Sequence, residues 1–87
     1  MEDAGQVITE YIVKQFMPDR PDAVLADDLL LFEQGIIDSL GIFVLIAFLE
    51  QRFAVKIAPE DVILENFSTP NSIKQLVVAK LRLSAPT

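Results

Sequence analysis

The sequence predicts an all-α protein, a four-helix bundle with a short third helix and a long loop between helices 1 and 2. Apolar residues recur at helical spacing in three segments, no segment alternates as a strand does, and proline-containing stretches separate the periodic segments. The chain has 87 residues, which fits a single domain over 1–87 with an ordered core of about 3–83. A chain this short buries only about 60 to 65% of its unfolded surface, so it needs dense apolar content or a staple. Its 52% apolar fraction meets the first need, and the absence of cysteine removes any disulfide that could meet the second.

The first helix is expected over about Asp3 to Met17. Val7, Ile8, Tyr11, Ile12 and Phe16 share one side, with Glu10, Lys14 and Gln15 on the other. The stretch PDRPDA, Pro18 to Ala23, ends it, because each proline removes a donor and restricts the residue before it. A long connection follows, anchored by Leu29, Leu31 and Phe32; structureless loops of such length in compact domains are often functional. The second helix runs from Ser39 to about Phe53, with Ile42, Leu45, Ile46, Leu49 and Phe53 as its core stripe. Phe43, Val44, Ala47 and Phe48 make it apolar on most sides, so part of that surface must face solvent or a partner.

Its apolar run, Leu40 to Leu49, is about half of the ~20 residues needed to span a membrane, so it reads as a helix of a soluble core. The third helix, in IAPEDVILENF, is only about two turns long, with Pro59 in its first turn and Glu60-Asp61 at the positive end of its dipole. Ser68 or Thr69 caps the last helix, Pro70 takes its first position, and Ile73, Leu76, Val77 and Leu81 form its buried stripe. The tail SAPT is expected to fray.

Composition excludes several classes of function. With no histidine, neither a Ser-His-Asp triad nor a histidine-based metal site can be assembled, and with no cysteine the chain has no thiolate chemistry of its own. The three glycines form no phosphate loop. Asp27-Asp28 and Glu60-Asp61 read as solvated acids rather than metal ligands, so no metal is expected. The net charge of -6 disfavours nucleic acid and anionic membranes and favours basic partners. No basic leader with an apolar stretch opens the chain, so a cytoplasmic monomer is expected, and Asn66-Phe67-Ser68 reads as an accidental glycosylation sequon.

At Asp38-Ser39 a bland reading is available, since either side-chain oxygen could cap the second helix by accepting from a first-turn amide. The surrounding sequence adds a sharper one. The tripeptide Asp38-Ser39-Leu40, the segment LFEQGIIDSL leading into the helix, its ending FLEQRF and the stretch KIAPEDVILENFSTPNSI together resemble the acyl and peptidyl carrier protein family. Nearly the whole chain, about Val7 to Leu81, lies on that pattern, and the carrier-type bundle is the fold it implies. In that family the motif's serine, here Ser39, holds 4'-phosphopantetheine, derived from coenzyme A, as a covalent phosphodiester.

The resemblance implies a non-catalytic carrier that holds an acyl or aminoacyl group as a thioester on that arm. Its implied partners are a separate phosphopantetheinyl transferase, an adenylating acyl or aminoacyl ligase, and downstream transferases or modifying enzymes. A phosphodiester at Ser39 would set its charge at the helix amino end, where free amides and the dipole favour an anion. The family's partner-reading surface, carried over by position, comprises Asp38, Leu40, Gly41, Phe43, Val44, Ala47, Glu50, Glu60, Asp61 and Val62. Structural alternatives stay open for these: Leu40 and Val62 as core, Asp38 as cap, Glu50 as a solvated charge.

Fatty-acid-type carriers resemble one another in bearing acids on this face, whereas Gly41 and Val44 stand here. The segment leading into the helix is closer to stand-alone carriers of D-alanine and other amino acids, so aminoacyl cargo is preferred. Two alternatives remain: a fatty acyl carrier of a fatty acid or polyketide pathway, and an unmodified helical protein-protein interaction module using the apolar side of the second helix. A hydrolase built on Ser39 and Asp38 is disfavoured, because neighbouring residues at one helix start supply no positioned base and histidine is absent.

Overall fold

A computed structural model describes residues 3–84, with side chains described through Arg82. Four α-helices follow in order: α1 (Ala4–Phe16), α2 (Ser39–Phe53), α3 (Leu64–Phe67) and α4 (Pro70–Ser84). No strand occurs among the described residues. α4 packs against the other three helices, and α1 also meets α2. The fraying expected of the tail falls mainly on residues 85–87, outside the described residues.

Each long helix begins where a short polar side chain satisfies a first-turn amide. Asp3 Oδ1 accepts from Gly5 N–H at 2.9 Å for α1, and Thr69 Oγ1 accepts from Ser72 N–H at 3.1 Å for α4, which decides between Ser68 and Thr69. α2 ends at Ala54, whose φ of 54° places a non-glycine residue in the left-handed region. The chain then runs extended, with Val55 and Ile57 turned inward and Lys56 outward.

The core joins Ile8, Ile12 and Val13 of α1 to Ile42, Leu45 and Leu49 of α2, Phe67 of α3, and Ile73, Leu76 and Val77 of α4. Ile46 and Phe53, expected in the stripe of α2, are only half-buried. On α1, Tyr11 is half-buried and stacks on Phe48 of α2 with ring centroids 3.7 Å apart. Burial pushes its phenol pKa up.

The connection between α1 and α2 is a succession of turns fastened to the core. Leu31 is fully buried, and Leu25 and Ile37 are buried beside it, while Leu29 and Phe32 pack against the core from its edge. Two backbone bonds tie the loop to the junction of α3 and α4: Leu31 N–H donates to Ser68 O at 2.9 Å, and Asn71 N–H to Asp27 O at 3.0 Å. Gly35, at φ +71°, supplies the left-handed turn that returns the chain toward α2.

Two expectations are corrected. The third helix is not one two-turn element: a 3-10 turn over Pro59–Asp61 is followed by the single α-turn of α3. Glu60 and Asp61 therefore sit on the 3-10 turn rather than at the start of a continuous helix, and runs this short are held by their surroundings rather than by their own hydrogen bonds. Leu81 is exposed, not part of the buried stripe of α4.

Leu45→Ala and Leu49→Ala remove fully buried side chains and should each cost on the order of 2 to 5 kcal/mol, with Leu31→Ala in the same range. Leu81→Ala should fall within about 0.5 kcal/mol of wild type. Urea titrations of the four variants check both statements.

Candidate functional site

The amino end of α2 settles the capping question. Asp38, in extended conformation, accepts from Gly41 N–H at 2.7 Å through Oδ1, and its carbonyl takes the first intrahelical bond from Ile42 N–H at 3.1 Å. Asp38 is thus the cap and Ser39 the first helical residue. Ser39 is exposed, and among the described residues no group hydrogen-bonds its hydroxyl. Its own amide and that of Leu40 are likewise without partners, as expected of a helix start. A free hydroxyl therefore stands beside unsatisfied amides at the positive end of a helix dipole.

An open cleft of about 260 Å³ adjoins this hydroxyl. Ser39, Ile42 and Phe43 of α2 line one part of it, with Phe32 from the loop, Phe67 of α3 and the segment Val62-Ile63-Leu64. Around it lies an apolar rim: Leu40 is 77% exposed, Phe43 65% and Leu64 66%, with Val44, Val62 and Ile63 also exposed. Leu40 and Val62 are therefore surface residues, not core, and Phe43, Val44 and Ala47 are exposed as the surface reading expected.

The remaining expected recognition residues divide. Gly41 is buried, so its inclusion in a partner-reading surface is corrected. A Cβ there would lie 3.0 Å from the Phe16 ring, 3.2 Å from Ile37 Cγ2 and 3.3 Å from the capping Asp38 Oδ1, so the bare position lets α1 and the loop close on α2. Glu50, neither free nor merely solvated, is half-buried and accepts from Ile57 N–H at 2.9 Å. Asp61 accepts from Ala58 N–H at 2.9 Å and pairs with Lys80 of α4, while its carbonyl accepts from the Asn66 side-chain amide at 2.7 Å. Glu60 is exposed, and no group among the described residues engages its side chain.

Ile63 and Leu64 were not foreseen as part of this surface. Their signal was present, since three consecutive apolar residues in so short a segment cannot all turn inward. Among the described residues no cluster of acids, histidines or cysteines could hold a metal, and no helix is long and apolar enough to cross a membrane.

The family model described as a phosphopantetheine attachment site matches residues 8–77. The chain belongs to the phosphopantetheine-binding carrier family. Its members hold 4'-phosphopantetheine covalently, are not themselves enzymes, and work with phosphopantetheinyl transferases and biosynthetic enzymes. The apo structure of KstB-PCP, a peptidyl carrier protein, is similar to this carrier with a TM-score of 0.66 and 35% identity, over 88% of this chain and 85% of that one. No curated protein gives a significant match.

Two predictions follow from the geometry. Asp38→Ala should destabilise the carrier by about 0.5 to 2 kcal/mol through loss of the cap, whereas Ser39→Ala, which removes no bond, should cost far less; chemical denaturation of both variants separates the roles. The second concerns acid. The Lys80 bond, then the Ala58 amide, holds the Asp61 carboxyl below its ordinary pKa of 3.8. A carboxyl lowered in the folded state adds stability that is fully present above its unfolded value and is lost as pH falls through the folded one. The gap in melting temperature between wild type and Asp61→Asn should therefore be constant near neutrality and shrink below about pH 3.8.

Proposed function

We propose that the carrier holds an aminoacyl group, in preference to a fatty acyl group, as a thioester on a 4'-phosphopantetheine arm joined to Ser39. The observation that carries the assignment of Ser39 is its exposed, uncommitted hydroxyl at a helix start whose cap is supplied by the neighbouring Asp38. Because that cap leaves Ser39 Oγ free, modification costs the helix no bond. The open amides of Ser39 and Leu40 and the dipole of α2 favour a phosphodiester there. A hydroxyl with no base beside it is a weak nucleophile, and the chain has no histidine, so a separate transferase must supply the activation. When bound, the group supplies the thiol that this cysteine-free chain lacks.

The aminoacyl preference rests on the surface beside Ser39. Leu40, Phe43, Val44, Ala47, Val62, Ile63 and Leu64 present apolar side chains, with Glu60 at the edge. The carboxylates of Asp38, Glu50 and Asp61 are spent on bonds within the chain. Such a surface suits an adenylating ligase and later enzymes that dock by apolar contact more than by basic patches. The similarity to the peptidyl carrier KstB-PCP and the likeness of LFEQGIIDSL to aminoacyl carriers point the same way. The cytoplasm is the compartment in which we place this work.

The attachment is tested by intact mass and peptide mapping after incubation with coenzyme A and a broad-specificity transferase. Wild type should gain one phosphopantetheinyl group on Ser39, and Ser39→Ala none; gain by the alanine variant would remove the assignment. Cargo is tested by the loading rate of the holo carrier with aminoacyl and fatty acyl ligases at low and high salt, where an apolar contact should show little dependence beyond the Debye screening of about 10 Å at 0.1 M. Val44→Asp should slow aminoacyl loading while leaving folding nearly unchanged. Efficient loading by fatty acyl ligases alone, strongly inhibited by salt and indifferent to Val44→Asp, would replace the aminoacyl reading.

A further inference from the structure

The segment between α2 and α4 that lines the cleft has little to hold it in shape. It consists of one 3-10 turn and one α-turn, lengths at which helical hydrogen bonding does not sustain itself. Its apolar residues Val62, Ile63 and Leu64 are exposed, and within Pro59–Phe67 only Phe67 is buried. Burial therefore anchors the flanks, Ile57 just before the 3-10 turn and Phe67 at the end of α3, and leaves the residues between them to polar contacts.

Those contacts converge on Asp61. Its carboxylate takes the Ala58 amide and the Lys80 ammonium, and its carbonyl takes the Asn66 side chain, so one residue ties the 3-10 turn to α3 and to α4. The side chains of Asp61 and Lys80 are each only 19% exposed, so neither is presented to a docking enzyme as a free charge. Being partly withdrawn from water, the pair is screened less than a surface ion pair. The lowered Asp61 carboxyl pKa agrees with a carboxylate held in place by these partners.

We propose that Asp61 and Lys80 are positioning residues for partner recognition: together they hold Val62-Ile63-Leu64 at the wall of the cleft beside Ser39, and they set how readily enzymes engage the carrier without touching those enzymes themselves. The inference rests on Ser39 as the attachment site. It assigns to Asp61 the opposite role from that of a contact acid, and it gives Lys80, on a helix away from the motif, a part in recognition.

The test is steady-state modification of the apo carrier by a broad-specificity transferase and coenzyme A, with Asp61→Asn, Lys80→Met, the double variant, Lys80→Arg, and Lys74→Met as a control on the same helix. Asp61→Asn and Lys80→Met should each raise KM for the carrier on the order of three- to tenfold with little change in kcat, as coupled neighbours do. The double variant should be no worse than the poorer single, Lys80→Arg should recover most of the loss by keeping the charge, and Lys74→Met should match wild type.

Amide spectra of the isotope-labelled apo variants should show shifts gathered at Val62 to Leu64 with the α1 resonances unmoved, a readout that needs no enzyme. If Asp61→Asn alone raises KM while Lys80→Met behaves as wild type, Asp61 is a contact residue and the proposal fails. It fails equally if neither variant moves KM or the Val62 to Leu64 amides. Absence of any modification of wild type at Ser39 strikes the attachment assignment instead, and the amide shifts still decide whether the pair holds the segment.

Discussion

The constraint on which the rest depends is that α2 is apolar on most of its circumference, in a protein too small to surround it. One stripe, Ile42, Leu45 and Leu49, is buried against the other helices. That choice orients the helix and leaves Leu40, Phe43 and Val44 facing outward. The outward residues cluster beside Ser39, and the loop and the α2–α4 segment complete the apolar rim with Phe32, Val62, Ile63 and Leu64. An apolar surface of this kind is costly to leave in water, and such patches commonly mark interaction sites, the use we propose for it.

The second consequence is a division of labour between adjacent residues. Asp38 satisfies the helix start and Ser39 is relieved of that duty. A capping serine would have its hydroxyl engaged, so the order Asp then Ser matters physically as well as by motif. The long loop serves the same end, since Leu31 in the core, Ile37 beside it, and the bonds that join Leu31 to Ser68 and Asp27 to Asn71 set where α2 begins.

Much of this was legible in the sequence because it depends on local rules. The start of α2 follows from a polar cap before an apolar run, and that of α4 from the hydroxyl residues Ser68 and Thr69 followed by Pro70. What was not legible depends on contacts between distant residues. Gly41 looks like a gap in a surface until the Phe16 ring arrives from α1, and Glu50 looks like a solvated acid until Ile57 turns its amide back. The meeting of Asp61, on the turn that opens the divided third helix, with Lys80 of α4 is likewise announced by no periodicity. Leu81 matched the helical spacing, but spacing does not say how far α4 extends beyond the elements that could cover it.

The acids illustrate the difference between composition and surface. A net charge of -6 suggested basic partners, yet three of the acids expected on the partner-reading surface, Asp38, Glu50 and Asp61, bond within the chain, and the side chains around the cleft are mainly apolar. The central claim, that α2 gives one face to the core and the other to partners, is tested most directly by thiol labelling. The chain has no cysteine, so each position can be reported alone. With cysteine placed singly at Leu40, Phe43, Val44, Leu45 and Leu49, the account predicts rapid labelling of the first three in the folded carrier. At the last two, labelling should be slowed by orders of magnitude to the rate at which the core opens. Protection of Phe43→Cys or Val44→Cys comparable to that of Leu45→Cys would contradict it.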